Sequence, residues 1–154
     1  MNHPLDGLAG QVEFFSANLA HNLDFIPDDK LDWKPAPEAN SAMEIVRHVL
    51  MAQGSLGAML NGSDPKSAAI AEPKTRDEAK QALKESAQSY TTLIRGLEPG
   101  TLHELVDMGF AKLPKAFVAG MAAADTIHHH GQIAYIQTLL GDTESHFDIS
   151  LIPG

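Results

Sequence analysis

The sequence predicts an all-α protein, a four-helix bundle that is antiparallel in the main and has room for a crossover connection. Three observations carry this. Four stretches of about twenty residues repeat apolar side chains at three- and four-residue steps. Helix-start signals stand at Ser41 and Thr75. Segments rich in Pro, Gly and Asn separate the four stretches, with no internal repeat and no domain linker. A chain of 154 residues suits one core, so residues 1–154 are read as a single domain.

The first helix is expected over residues 5 to 26, where Leu5, Leu8, Val12, Phe15, Leu19, Leu23 and Ile26 share a stripe and Pro27 blocks continuation. His21 falls away from that stripe and is expected in solvent. Residues 27 to 40 form a connection holding the sole Trp, and Trp33 is expected to plug the core from a loop. Ser41-Ala42-Met43-Glu44 is a capping box. It starts a second helix that runs to about Leu60, where Asn61-Gly62 supplies a stop. Its inward face is drawn as Ile45, His48, Ala52, Ser55, Leu56 and Met59, with Arg47 and Gln53 on the polar side. Gly54, Gly57 and Ala58 leave room for a close neighbour.

After a loop with Pro65 and Pro73, Thr75-Arg76-Asp77-Glu78 caps a third helix that reaches about Gly96. Ala79, Ala82, Leu83, Ser86, Tyr90, Leu93 and Leu97 make its stripe. Residues 97 to 114 are a longer connection whose apolar residues fit either a helical turn or a short extended piece. The fourth helix is expected from near Lys115 to Leu140, with Gly141 just beyond it. Phe147, Ile149, Leu151 and Ile152 make the remaining tail apolar enough to pack on the bundle.

Composition narrows the function. The net charge of −9 and the absence of a Lys/Arg cluster argue against nucleic acid and against an anionic membrane surface. With no cysteine, disulfides, thiolate metal sites and a protein thiol nucleophile are excluded. Neither a signal-peptide pattern nor an apolar run of membrane-spanning length is visible, so a soluble, cytoplasmic protein is expected.

The fourth helix holds the residues that read as chemistry. Asp125 and His129 stand four apart, about 40° around the axis, in the same sector as Val118, Met121, Ala122, Ile136, Leu139 and Leu140. His128 falls about 60° to the other side of Asp125, on the edge of the stripe, and His130, about 140° away, is expected at the surface. A carboxylate in a bundle core is costly unless it is paired or binds a metal. His48 is the one other histidine on an inward helix face. With Asp125 and His129 it makes a two-His-one-carboxylate set, a type that leaves coordination positions open. Against this stand plainer readings. His48 can be a core residue with a satisfied hydrogen bond, Asp125 can pair with Arg47 or Arg95, and the histidine run can be mostly solvated. Gln132, one turn beyond His129, either orients a ligand or water or makes a structural hydrogen bond across the core. Tyr90 is expected to pack.

Three pieces together resemble the DinB/YfiT-like superfamily over nearly the whole chain. They are the Trp33-Lys34-Pro35-Ala36-Pro37 loop leading into Ile45-Val46-Arg47-His48, the Asp125-x-x-x-His129 pair, and Gly131-Gln132-Ile133 running on to Leu139-Leu140-Gly141-Asp142. The resemblance implies a four-helix bundle with a divalent metal ion (Zn, Ni, Fe or Mn), often as a homodimer. It implies ligands from the second helix, matched by His48, and from the last, matched by His129. Asp125 stands where many relatives carry His, a departure that keeps a site and shifts its metal preference, with His128 as a substitute ligand. Characterised relatives are transferases or isomerases that use low-molecular-weight thiols on electrophilic substrates. Two functions therefore follow from the sequence. One is a metal-dependent enzyme, a transferase or hydrolase working through a metal-activated thiolate or water, with no catalytic residue assigned beyond the ligands. The alternative is a non-catalytic bundle or interaction protein that the metal stabilises.

Overall fold

The computed structural model describes residues 2–154. Four helices dominate: α1 Asp6–Asn22, α2 Ala42–Leu60, α3 Arg76–Arg95 and α4 Lys115–Leu139. Both capping boxes form. Ser41 and Thr75 each accept the backbone N–H of the Glu three residues on, while Glu44 and Glu78 reach back to the cap residue's own N–H. Gly141, in the left-handed region at φ +104°, follows the end of α4.

Helix direction follows from which residues meet. Asp6 and Glu13 bond Arg95 while Asp24 meets Lys80, so α1 and α3 are antiparallel. His48 faces Asp125 and His129, while Gln53 faces Thr126, so α2 and α4 are antiparallel too. Gln53 bonds Ser86 and Gly57 lies against Tyr90, so α2 and α3 run parallel. Leu8 packs at Gly120 and Asn22 reaches His130 and Gln137, so α1 and α4 run parallel. The order around the bundle is α1, α3, α2, α4. The crossover that the sequence allowed is therefore the 61–75 connection, which must return along the whole of α2, about 28 Å for its 19 residues. It lies as a strap. Ile70 is seated on the bare Cα of Gly54, and the Pro73 carbonyl accepts from Arg47 Nη2 at 3.0 Å. Gly54 thus makes room for the strap, whereas a Cβ at Gly57 would meet Tyr90 and Leu93 of the neighbouring helix only in ordinary contact.

The 97–114 connection contains both of the expected alternatives. A helical turn, Pro99–Thr101, precedes an antiparallel hairpin of β1 Leu105–Asp107 and β2 Lys112–Pro114. The first helix ends at Asn22, four residues before the expected limit, and passes into a tighter turn at Leu23–Phe25. Trp33 is half-buried and packs against the core cluster of Leu31, Met43 and Val46. His21 is half-buried, edge-on to Phe25 at 5.2 Å, and not fully solvated as expected. The tail is tied down by polar groups more than by its apolar ones. Asn18 exchanges hydrogen bonds with the backbone of Asp148, and Gln137 donates to the carbonyls of Asp142 and Glu144. Ile149 and Ile152 stay exposed.

Two helices are rotated relative to the expected stripes. The core line of α2 runs through Ala42, Val46, Val49, Gln53, Leu56 and Leu60. Gln53, expected on the polar side, is 1% exposed. Its Nε2 donates to Ser16 Oγ (3.1 Å) and to Thr126 Oγ1 (3.3 Å), and its Oε1 accepts from Ser86 Oγ (2.7 Å). One buried amide thus bonds all three other helices. In α4 the core line is Ala122, Thr126, His129, Ile133 and Ile136. That moves Asp125 to the edge of the core and brings His130 inward. Gln53→Ala leaves these hydroxyls short of partners around a cavity. It is expected to lower the unfolding free energy by about 2–4 kcal/mol, read as a shifted urea midpoint at unchanged slope.

Candidate metal centre

His48 enters the site from the first half of α2, and Asp125 and His129 from successive turns of α4. Asp125 Oδ1 lies 3.3 Å from His129 Nε2 and 3.5 Å from His48 Nε2. The two imidazoles meet at 4.5 Å between centroids, inclined at 60°. One donor atom from each of the three residues falls within 4.8 Å of the others. The site is graded in depth: the side chain of His129 is 8% exposed, that of Asp125 23% and that of His48 42%. It is anchored in the core and opens to solvent on the α2 side.

Hydrogen bonding gives the cluster a direction. His129 Nδ1 lies 2.7 Å from Gln132 Oε1, and Gln132 Nε2 lies 3.2 Å from His128 Nε2. An amide oxygen can only accept, so Nδ1 of His129 carries a proton and donates to it, and Nε2 is the ring nitrogen that faces Asp125. From there Nε2 can donate to the carboxylate as part of an imidazolium or, in the neutral ring, offer its lone pair to a metal ion. The second carboxylate oxygen, Oδ2, is buried with no hydrogen-bond partner. Buried carboxylate oxygens are ordinarily satisfied, so this one points to a missing positive partner. The distances from Oδ1 to the two histidines, for their part, suit a metal ion held between them. Bonds of about 2.0–2.1 Å in a tetrahedral arrangement set neighbouring ligand atoms about 3.3 Å apart. Two imidazoles and a carboxylate, with no thiolate, suit Zn, Fe, Ni or Mn.

Other histidines and basic residues are turned elsewhere. His128 is exposed and stands on the far side of Gln132, outside the cluster. His130, expected at the surface, is half-buried and bonds Asn22 Oδ1 at 2.9 Å, and burial holds its imidazole below the usual histidine range. Neither ion pair weighed for Asp125 forms. Arg47 is engaged with Pro73, and Arg95 with Glu13 and Asp6. The Tyr90 hydroxyl donates to the Ala119 carbonyl at 3.0 Å, and burial raises its pKa. Gln132 does not cross the core: it holds Nδ1 of His129 from one turn away. What sequence reasoning missed is Gln53, whose bond to Thr126 sets the residue beside Asp125. An amide among apolar neighbours on α2 was the available signal.

The model of the DinB superfamily matches residues 11–133. The chain belongs to the DinB superfamily. Solved structures agree on the fold. A DinB-like protein from Bacillus subtilis (YjoA) superposes with a TM-score of 0.76 at 19% identity, covering 93% of this chain and 99% of its own. A DinB-like protein from Bacillus cereus gives 0.73 at 14% identity, over 100% of this chain and 99% of its own. A conserved protein from Enterococcus faecalis gives 0.70 at 16% identity, over 92% and 100%. No curated protein matches. Among the described residues no helix is long and apolar enough to cross a membrane.

Gln132→Leu removes the acceptor that holds His129 while leaving His48, Asp125 and His129 in place. Metal affinity, measured by competition with a chromophoric chelator, is expected to fall about 10- to 100-fold at unchanged helicity.

Proposed function

We propose that this DinB superfamily member is a divalent-metal protein and that it works as a metal-dependent enzyme. The observation that carries the reading is the convergence of His48, Asp125 and His129 on one point, with Asp125 Oδ2 left unpartnered there. His48, Asp125 and His129 would hold the ion. When bound, it supplies positive charge that lowers the pKa of a thiol or water beside it, giving a nucleophile at neutral pH. The chain's own groups do the rest. Gln132 holds His129 with its Nε2 turned inward, and the burial of His129 keeps water off one side. The exposed edge of His48 leaves the approach for a low-molecular-weight thiol and an electrophilic partner. The transferase or isomerase class rests on the family likeness. That exposed edge is also what favours an enzyme over a purely structural ion, which closed coordination would suit better.

The test is elemental analysis of untagged protein after incubation with Zn, Ni, Mn or Fe. One ion per chain is expected in the wild type and a loss of stoichiometric binding in His48→Ala and Asp125→Ala. A metal-free wild type overturns the reading. For turnover, thiol consumption with electrophilic acceptors is expected to fall at least 100-fold in His129→Ala, and equal rates would exclude the metal-activated nucleophile.

We further propose that the protein is a homodimer. Phe117, Met121, Ala124, His128, Gly131 and Tyr135 follow one another at steps of four and three along α4, the spacing of a helix–helix seam. Phe117 and Tyr135 are more than half exposed, and a Cβ at Gly131 would meet nothing. Light scattering is expected to give twice the chain mass for the wild type and the single mass for Gly131→Arg with Tyr135→Glu.

A further inference from the structure

On the flank opposite the metal centre, α1 and α3 border a groove of about 640 Å³, roofed by the end of the tail. That volume lies in the ordinary range for small-molecule sites. From Glu13 to His21 the groove follows α1 for about 12 Å. Ala17 and Ala20 of α1 and Ala87 of α3 make its floor, and Leu151 and Pro153 its roof. Ser16 lines the same groove and is only 1% exposed. Its Oγ accepts from Gln53 Nε2 at 3.1 Å. A hydroxyl also has a proton to give. Thr126, the other hydroxyl that accepts from Gln53, gives its proton to the Ala122 carbonyl at 2.8 Å, and Ser86 gives its proton to Gln53 itself. The Ser16 proton meets no acceptor among the described residues. Buried donors are ordinarily paired, so this one is left for an acceptor that enters the groove.

Most charged groups along the groove are already engaged. Glu13 holds Arg95 at 2.6 Å, Lys80 holds Asp24, and His21 sets its ring edge-on to Phe25. Lys84 and Asp77 remain, and they stand seven residues, about 10 Å, apart along α3. Lys84 is exposed and has no acidic partner among the described residues. It lies two residues before Ser86, which shares Gln53 with Ser16, so Lys84 and Ser16 stand at nearly the same height in the bundle. An ammonium and a hydroxyl proton are both donors, and together they suit a carboxylate. The alanine floor and the Leu151–Pro153 roof suit an apolar body beside it. We propose that the α1–α3 groove binds a small monocarboxylate with an alkyl or aryl body, its carboxylate held by Lys84 Nζ and Ser16 Oγ. The site is separate from the His48–Asp125–His129 cluster and stands whether or not that cluster holds a metal ion.

The experiment titrates the full chain with octanoate, octanamide and octylamine, three probes of one length that differ in the head group. Binding is read from backbone amide shifts in NMR spectra. Octanoate is expected to bind in the millimolar range or tighter and to shift amides of residues 16–21, 80–88 and 149–153. Octanamide, which lacks the charge, is expected to bind about tenfold weaker, and octylamine weaker still. Lys84→Glu is expected to weaken octanoate at least tenfold, at an exposed position where the fold is not at stake. Ala17→Phe fills the trough and is expected to abolish binding. Ser16→Ala is expected to weaken octanoate too, and is read beside the other two because it also takes a partner from Gln53. His48→Ala is expected to bind octanoate as the wild type does, which separates the groove from carboxylate coordination at the metal centre. No shift at millimolar octanoate overturns the proposal, as do shifts confined to other segments. Octanamide or octylamine binding as tightly as octanoate overturns it. Octanoate affinity untouched by either Lys84→Glu or Ala17→Phe, or lost in His48→Ala, overturns it as well.

Discussion

The structure turns on one buried amide. Gln53 lies at mid-height on α2 and bonds Ser16 of α1, Ser86 of α3 and Thr126 of α4. Apolar contacts between helices are tolerant of rotation and sliding, because one methyl group substitutes for another at little cost. Three hydrogen bonds from a buried amide are not, since each lost partner leaves a desolvated polar atom behind. The amide therefore selects one rotation and one register among the many that hydrophobic packing would allow. His48 lies five residues before Gln53, and Asp125 adjoins Thr126. Setting the Gln53–Thr126 pair sets His48 opposite Asp125 and His129.

The helices and their boundaries were legible because they are written in local terms. Capping residues, a proline beyond α1 and a glycine after α4 act on their own few neighbours, and the observed ends of α2, α3 and α4 fall close to the expected ones, whereas α1 stops four residues short of its expected limit. Helix rotation was less legible. In α3 charged residues mark the outer face, and the buried line of Ala79, Leu83, Tyr90 and Ile94 largely follows the stripe. In α4 only Lys115 and Asp125 carry a fixed charge, so apolar residues run all round and no face announces itself. That is why His130 was expected outside and Asp125 at mid-stripe. The pairing of Asp125 with His129 was readable from spacing on one helix. The arrival of His48 was suggested only by its helix face and by the family pattern, since a contact 77 residues away in the chain depends on the whole bundle.

The direction of α3 was also beyond local reading. Fifteen residues, 61 to 75, suffice for an ordinary loop or for a return along α2, and nothing in their composition separates the two. What decides is that Ile70 has a seat on Gly54 and the Pro73 carbonyl has a donor in Arg47. The strap then covers the α2–α3 side of the bundle with Ser- and Ala-rich backbone. The α2–α4 side, where the histidines and Asp125 meet, stays uncovered. The same crossover thus distinguishes a flank covered by the strap, with a cavity left beneath it, from the flank where His48 meets solvent.

The separation of His48 and Asp125 along the chain has a consequence in polymer terms. Asp125 follows His48 by 77 residues, a distance read directly from their numbers. An ion gripped by both would close a loop that includes half of α2, the strap, all of α3, the hairpin and the start of α4. A covalent link across a loop of that size would restrict the unfolded chain by something on the order of 4 kcal/mol. The sequence has no cysteine with which to make one. A bound metal ion would give this chain a removable cross-link, tightening the bundle when metal is plentiful and loosening it when metal is scarce.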